Sequence, residues 1–288
     1  FLGSEGVLGI ITEVTLRVRR VPSTRWFEAL MLPSLEAGLE AFRELAQSRA
    51  SADVMRLSDL AETRATMHMS GPTGRTASAM AAYLKVRGVS DGAMAIMGWD
   101  GTSASQVRAR RSMALDILRR HGAASLGRGA GESWLRHRFE GPYLRDTLMD
   151  QGYLVETLET ATSWAGLAEL RESVTGALTE SLGRSYVMAH VSHVYETGAS
   201  LYVTALASAG PDQAERWRAA KHAASEVIVA HGATITHHHG IGADHAPWLE
   251  AEVGPVGVDL LRTVKAHLDP HGILNPGVLL PAGRYRRT

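Results

Sequence analysis

The chain has 288 residues, of which 45% are hydrophobic and 21% are charged, and this composition is typical of a folded globular protein. It contains no cysteine, which excludes disulfide frameworks, thiolate nucleophiles, iron–sulfur clusters and zinc sites with cysteine ligands. Its 30 lysines and arginines balance 30 aspartates and glutamates, so we expect a small-molecule partner and no nucleic acid.

No apolar run approaches the ~20 residues that span a bilayer, and no charged-then-apolar leader opens the chain. We therefore expect a cytoplasmic protein with no transmembrane segment. The first residue is Phe1 rather than methionine, and it begins a stretch punctuated by glycines. This start suggests the middle of a longer protein.

Apolar and polar residues alternate from Ile10 to Val18, which predicts a half-buried strand that Pro22 ends. Residues 26–32 predict a second strand, and apolar residues at helical spacing from Leu35 to Leu45 predict the helix that follows. The further expected elements are extended runs at 53–57, 81–86, 93–99, 186–194 and 201–207, a loop at 70–78, helices at 103–120, 167–178, 212–229 and 256–268, and functional loops within 122–152.

The runs at 186–194 and 201–207 are joined by Glu196-Thr197-Gly198, which predicts a β-hairpin. With helices between the strands, the pattern predicts an α+β fold whose antiparallel sheet is covered by helices on one face. No Walker loop and no complete GxGxxG fingerprint occur, so a doubly wound nucleotide-binding fold is disfavoured.

Three consecutive histidines, His237, His238 and His239, stand before a Gly-Ile-Gly turn. Imidazoles can hold an oxyanion, move a proton or ligate a metal. A polar turn with satisfied histidines is one alternative. A metal site with a carboxylate such as Glu250 is another, although the stretch lacks a recognisable ligand spacing.

Arginines form the second set of candidates. Residues 134–146 hold three arginines and three aromatic residues, which suit a carboxylate or a phosphate but also fit an exposed helix with paired charges. Arg56 lies in an apolar run, so we expect it in a pocket or a buried pair. Tyr202 lies on an alternating strand, where tyrosine is more often a core residue than a catalyst.

Three motifs carry a resemblance to a known family. The opening GSEGVLGIITE at 3–13 resembles the last flavin-contacting segment of FAD-binding domains of the vanillyl-alcohol oxidase (PCMH) type. The closing LDPHGILNPG at 268–277 is similar to the C-terminal signature of FAD-linked oxidases, and THHHGIG at 236–242 resembles the histidine motif of alkyldihydroxyacetonephosphate synthases.

The resemblance implies FAD as cofactor and implies roles for particular residues. The catalytic residues would be Tyr202, His237, His238 and His239, and the substrate-binding residues would be Arg145 and Arg56, with no metal ligand. The cofactor-binding residues would be Glu5, Gly6, Val7, Leu8, Gly9, Ile10, Ile11 and Asn275.

The resemblance also implies an architecture. Residues 1–22 would be the last segment of the FAD-binding domain, residues 23–232 a ferredoxin-like cap domain that binds substrate, and residues 233–288 a segment at the interface of the two. Because the main pyrophosphate-binding loops would precede Phe1, we expect this chain alone to hold FAD weakly or not at all. The full-length protein would be a homodimer, with possible peripheral contact with a membrane.

Three functions stay open at this stage. The synthase reaction exchanges the acyl group of acyl-dihydroxyacetone phosphate for a fatty alcohol, with a base such as Tyr202 or His239. The alternative is oxidation of a D-2-hydroxy acid such as lactate or glycolate, in which a histidine takes the hydroxyl proton and hydride passes to FAD. A non-catalytic cap module is the third. Both enzymes would bind a small anionic substrate, a phosphate or a carboxylate.

Overall fold

A computed structural model describes residues 1–280, except for the side chain of Pro142. Residues 281–288, the end of the predicted interface segment, lie outside the described residues. The described strands are β1 (Thr24–Leu32), β2 (Val54–Ser58), β3 (Ala93–Gly101), β4 (Ala124–Gly127), β5 (Tyr153–Ser163), β6 (Ser185–Val194) and β7 (Gly198–Ser208). The described α-helices are α1 (Leu35–Gln47), α2 (Leu60–Ser70), α3 (Gly74–Val86), α4 (Ala104–Arg120), α5 (Arg128–His137), α6 (Gly141–Asp150), α7 (Leu167–Leu182), α8 (Gln213–Ala230) and α9 (Leu249–Leu268).

The seven strands form one antiparallel sheet in the order β4-β1-β3-β2-β6-β7-β5. Helices α1, α4, α7 and α8 pack against one face of this sheet and bury the main core between them. On α7, for example, Leu170, Val174 and Leu178 follow helical spacing and are almost completely buried. The predicted α+β class with an antiparallel sheet is confirmed.

The opposite face of the sheet carries a group of polar residues and, apart from them, a small apolar cluster that includes Met31 and Met94. Along β7, Leu201 and Val203 enter the core while Tyr202 points the other way, because successive strand residues alternate between faces. Helices α2, α3 and α5 line this second face. Helix α5 lies close on β1, since a Cβ added at Gly131 would come within 2.5 Å of the Glu28 backbone.

The structure corrects the predicted strand at the start of the chain. Residues 10–22 are not in a strand, and Val14, Leu16 and Val18 are 61%, 75% and 85% exposed. A strand requires a neighbour for its backbone hydrogen bonds, and none of the described strands pairs with this segment. Apolar and polar residues do alternate in this segment, but no strand in the described part of the chain pairs with it.

Three other expectations were wrong in detail. Residues 81–86, predicted to be extended, belong to α3, because the alanines, leucine and lysine of this run favour a helix and α3 already begins at Gly74. The predicted loop at 70–78 is therefore short. The weakly periodic region 122–152 folds into β4, α5 and α6, and the strand β5 that follows it was missed.

The predicted domain boundaries after residues 22 and 232 stay predictions. None of the helices in the described range 1–280 is both long enough and apolar enough to cross a membrane.

Candidate active site

The centre of the polar face is a row of three side chains on neighbouring strands. His190 on β6 lies opposite Tyr202 on β7, and Glu159 on β5 lies opposite Tyr202 on its other side. Directly opposed residues of antiparallel strands point to the same face. The sheet register therefore places an imidazole, a phenol and a carboxylate side by side, although they are far apart in sequence.

The histidine triplet reaches this row because its segment runs along the free edge of β5. Thr234 forms an isolated bridge with Ala161, and the His237 amide donates to the Glu159 carbonyl at 3.0 Å. Glu252, in the first turn of α9, accepts from the Ile235 amide at 2.8 Å. These contacts fix the triplet beside Glu159.

Glu159 is the buried acidic centre of the site. Its side chain is completely buried, and four imidazole nitrogens lie within 4 Å of its carboxylate. They are His238 Nδ1 at 2.5 Å, His237 Nδ1 at 3.5 Å, His239 Nε2 at 3.5 Å and His193 Nε2 at 3.8 Å. Neither carboxylate oxygen has a partner with hydrogen-bond geometry in the described part of the chain.

A β-bulge brings His193 to this cluster. The register between β6 and β7 shifts between Ser192 and Val194, which leaves His193 as the extra residue, with φ of +43°. A bulge of this kind re-aims one side chain without ending the sheet. The His193 ring lies 5.1 Å from the His237 ring and 4.9 Å from the His238 ring, between centroids.

A second ionic network holds Arg56 on the same face. Arg56 Nη2 donates to Glu62 Oε1 at 2.7 Å, and Arg56 Nη1 contacts His190 Nε2 at 3.1 Å. Because arginine can only donate, His190 Nε2 must accept, so Nδ1 carries the proton and donates to Glu62 Oε1 at 3.1 Å. This network fixes the neutral tautomer of His190.

The pKa directions agree with that assignment. Burial and the nearby Arg56 guanidinium lower the pKa of His190, although Glu62 opposes them. Burial by itself would raise the pKa of Glu62, but His190 and Arg56 outweigh it and lower the pKa to about 2. Glu62 is thus an ionised carboxylate with fixed partners.

Tyr202 lies between the two networks. Its ring stacks on the His190 ring, with centroids 4.8 Å apart, and meets the edge of the His239 ring at 5.4 Å. Burial lowers the pKa of His239, with Glu159 acting in the opposite direction. A neutral imidazole and a phenol therefore stand in contact, an arrangement that can accept and pass a proton.

These side chains open into a cavity of about 680 Å³, a size common for small-molecule sites. Arg56, Tyr202 and His238 line it, and Arg138 of the loop after α5 lines it as well. A second cavity of about 670 Å³ adjoins it and shares the lining residues Arg56, Trp134 and Arg138. The remaining walls of the second cavity are mostly apolar and include Met67, Met80, Met94, Ile96 and Leu126.

The structure brings together most of the residues proposed from sequence, but not all. Arg56, Tyr202 and the triplet converge, and Arg56 has the buried partner that its apolar surroundings led us to expect. Arg145 is exposed on α6 and does not line either cavity, whereas Arg138 of the same arginine-rich stretch lines both. The substrate-binding role of Arg145 stays a prediction.

Two of the residues proposed to bind cofactor, Glu5 and Asn275, take part in a clasp, which we define as Glu5, the amides of Ile241 and Gly242, and Asn275. Glu5 accepts from the Ile241 amide at 2.6 Å and from the Gly242 amide at 2.7 Å. The Asn275 side-chain amide donates to the Glu5 carbonyl. The clasp joins the start of the chain, the turn after the triplet and the closing motif.

Sequence reasoning missed four residues of the site: Glu62, Glu159, His190 and His193. The hairpin offered a signal for one of them, because a turn centred on Glu196 places His190 opposite Tyr202. No local pattern marks the other three. Glu250, the carboxylate suggested from its closeness in sequence, is exposed on α9, and Glu159 occupies the position beside the histidines.

Comparisons with known proteins agree on one group. Residues 21–279 match the family described as FAD linked oxidases, C-terminal domain. The chain is 30% identical over 294 residues to alkyldihydroxyacetonephosphate synthase of Trypanosoma brucei brucei, covering 98% of this chain and 48% of that protein. It is 22% identical over 286 residues to a probable mitochondrial D-lactate dehydrogenase of Danio rerio, covering 97% of this chain and 53% of that protein.

A solved structure of alkyldihydroxyacetonephosphate synthase matches with a TM-score of 0.75 at 24% identity, over 95% of this chain and 48% of that chain. At that identity, the structural match supports the fold alone. The chain spans about half the length of the synthases that it matches.

Proposed function

The chain belongs to the FAD linked oxidases, C-terminal domain, and from this membership we propose that it forms the substrate side of an alkyldihydroxyacetonephosphate synthase. The resemblance read from the terminal motifs and the histidine triplet is confirmed at the level of the family, whose members are enzymes linked to FAD. The reaction, the substrate and the residue roles are the content of the proposal.

One observation carries the proposal. Tyr202, the triplet and Arg56 were singled out from separate parts of the sequence. Arg56, Tyr202 and His238 line one cavity, and His237 and His239 each lie 3.5 Å from Glu159, which lines it as well. Side chains without a shared role have no reason to meet on the polar face of a sheet. The 30% identity to a synthase over nearly the whole chain points to the same reaction.

The cavity suits a substrate with an anionic head and an apolar tail. Arg56 and Arg138 offer guanidinium groups to a phosphate, and both also border the second, mostly apolar cavity. In our proposal the phosphate of acyl-dihydroxyacetone phosphate lies near these arginines. The hydrocarbon chain lies among the methionines, whose flexible side chains adapt to different chains.

The described residues fit one edge of a flavin site. Ile10 and Ile11 are 79% and 56% exposed, so they can contact an apolar ring system. They follow Glu5, which the clasp ties to the turn after the triplet. The side chains of Glu5 and Asn275 are used within the clasp, so we assign them to holding the segment rather than to touching FAD. When bound, FAD supplies the nucleophilic nitrogen that the exchange requires.

The protein's own residues have two tasks in the reaction. Tyr202 or His239 takes a proton from the carbon next to the substrate carbonyl, and the two rings are in contact. The bond between the dihydroxyacetone carbon and the acyl oxygen breaks, and the fatty acid leaves with that oxygen. The alcohol oxygen then bonds to the same carbon, the base returns the first proton to that carbon, and the alcohol proton goes to the departing carboxylate. The guanidinium groups that line the cavity stabilise this carboxylate as it leaves.

The test supplies the FAD-loaded protein with acyl-dihydroxyacetone phosphate and a deuterated long-chain alcohol, and follows the labelled ether product by mass spectrometry. We expect product, and a fall in kcat on the order of 100-fold or more in Tyr202→Phe. Tyr153→Phe is the matched control on β5, since Tyr153 is 43% exposed and borders neither cavity. Bound FAD without ether product would overturn the proposal.

The second candidate is a D-2-hydroxy acid dehydrogenase, which the similarity to a probable D-lactate dehydrogenase favours. Arg56 would grip the carboxylate, a histidine would take the hydroxyl proton, and the acid would give hydride to FAD. Anaerobic bleaching of the flavin by D-lactate would establish this reaction and exclude the synthase. Neither ether product nor flavin bleaching in the presence of saturating FAD would support a non-catalytic cap module.

A further inference from the structure

The starting point is a carboxylate that the proposed reaction does not use. The side chain of Glu159 is fully buried, and both of its oxygens lack a hydrogen-bonded partner among the described residues. A buried charge without partners is costly, and proteins usually neutralise it with an ion pair or a metal. The surroundings of Glu159 consist of imidazoles rather than of lysine or arginine.

Glu159 and three of the surrounding histidines have the geometry of a metal site. One oxygen of Glu159 and one nitrogen each of His193, His237 and His238 all lie within 4.8 Å of one another. Zinc–ligand bonds of ~2.0–2.1 Å in a tetrahedron put neighbouring ligand atoms ~3.3 Å apart. Two observed separations lie close to this value, 3.2 Å between His237 and His238 and 3.5 Å between His237 and Glu159. His193 lies 3.8 Å from Glu159, and His238 lies 2.5 Å from the second oxygen of Glu159.

Contacts between the ligand residues and their surroundings also support a metal site. The Tyr195 hydroxyl lies 3.0 Å from His237 Nε2, so the ring has a partner for the nitrogen that faces away from the cluster. Metal-bound histidines usually make such a contact, which fixes the ring and its tautomer. The β-bulge at His193 also supports a metal site. It turns the His193 side chain towards the cluster, whereas a regular strand would not place this residue there.

We propose that Glu159, His193, His237 and His238 bind a divalent transition metal of the Zn²⁺ class. Three imidazoles and one carboxylate suit zinc in donor type and in number. The metal would neutralise Glu159 and tie the triplet segment to β5 and β6. His239 is outside the ligand set and stays beside Tyr202, so the site leaves the proton-transfer pair free.

The site could not be proposed from spacing along the chain. The resemblance implied no metal ligand, and the alternative metal site combined the histidine triplet with Glu250. The ligands instead come from β5, from a bulge in β6 and from the triplet segment, and the sheet brings them together.

The test uses the untagged protein, stripped with a chelator and dialysed against Zn²⁺, with the bound metal measured by mass spectrometry. We expect about one zinc per chain. We also expect a visible absorption band of tetrahedral Co²⁺ after cobalt substitution. Glu159→Gln and His193→Gln should each weaken binding on the order of 100-fold or more, whereas His222→Gln, an exposed histidine on α8, should not.

Several outcomes would overturn the site: less than a tenth of an equivalent of zinc in the wild type, an octahedral Co²⁺ spectrum, or equal binding by wild type and both ligand variants. The cobalt spectrum of the wild type decides the matter even if a variant fails to fold. Because no readout depends on catalysis, failure of the synthase assay would leave this result unchanged.

Discussion

Substitution of Arg56 by methionine tests the network that holds Tyr202 in place. The change keeps an unbranched side chain of similar length but removes the cation. Glu62, whose side chain is 9% exposed, then keeps only its hydrogen bond from His190, and His190 Nε2 loses its donor. Arg56→Met should therefore destabilise the fold through the charge left behind on Glu62.

The magnitude follows from burial. Removing one partner of a buried ion pair costs ~3–5 kcal/mol. The Arg56 side chain is 26% exposed and His190 continues to donate to Glu62, so we expect a smaller loss of about 2–3 kcal/mol at pH 7. Arg64→Met is the matched control, because Arg64 and its partner Asp91 are 63% and 72% exposed and the loss should stay below ~1 kcal/mol.

The dependence on pH separates this explanation from lost packing. In the wild type, the pKa of Glu62 is lowered from 4.5 to about 2, so its ionised form stabilises the fold above pH 4.5 and that contribution is lost as the pH falls towards 2. In Arg56→Met the pKa of Glu62 rises, and protonation removes the uncompensated charge. The difference between variant and wild type should thus be largest at pH 7 and should shrink below pH 4.5.

The assay is urea unfolding of wild type and variants at pH 7 and pH 3.5, with the free energy of unfolding taken from midpoint and slope. The double variant Arg56→Met with Glu62→Gln should recover more than half of the loss at pH 7, since the buried charge is gone. An equal deficit at both pH values, with no recovery in the double variant, would refute the electrostatic reasoning.

Three further changes test other parts of the molecule. In α5, Gly131→Ala should destabilise by about 1–3 kcal/mol in urea unfolding, because its Cβ would meet β1 backbone at 2.5 Å; Gly129→Ala, with open space around it, should be neutral or stabilising. Glu5→Ala removes two hydrogen bonds to the turn after the triplet, so amide hydrogen exchange in that turn should become about 10- to 100-fold faster. Glu13→Ala is the control, because Glu13 is exposed. Equal exchange rates in the two variants would contradict the clasp. Lys265→Met should lower stability at pH 7, because Lys265 donates to Asp269 and lowers the pKa of that carboxyl to about 2. The loss of stability should shrink below pH 4, where Asp269 without its partner becomes protonated. A loss that does not change with pH would count against this ion pair.

Sequence patterns correctly predicted the elements that depend mainly on neighbouring residues in the chain. Residues 35–45 fall within a helix because their apolar residues recur at helical spacing and Ser34 caps the first turn, accepting from the Ala37 amide at 3.2 Å. The hairpin of β6 and β7 follows from two apolar runs and a short turn. The same reasoning failed at residues 81–86, where a short run fits both a helix and a strand.

The sequence by itself determined the α+β class, the family and most of the side chains that could do chemistry, because periodicity and motifs are local properties of the chain. Only the tertiary structure decided how those side chains meet. Glu159 comes beside the triplet because β5 pairs with β7 and the triplet segment adds to the far edge of β5. Such contacts depend on backbone hydrogen bonds between distant segments, whose register no local pattern records.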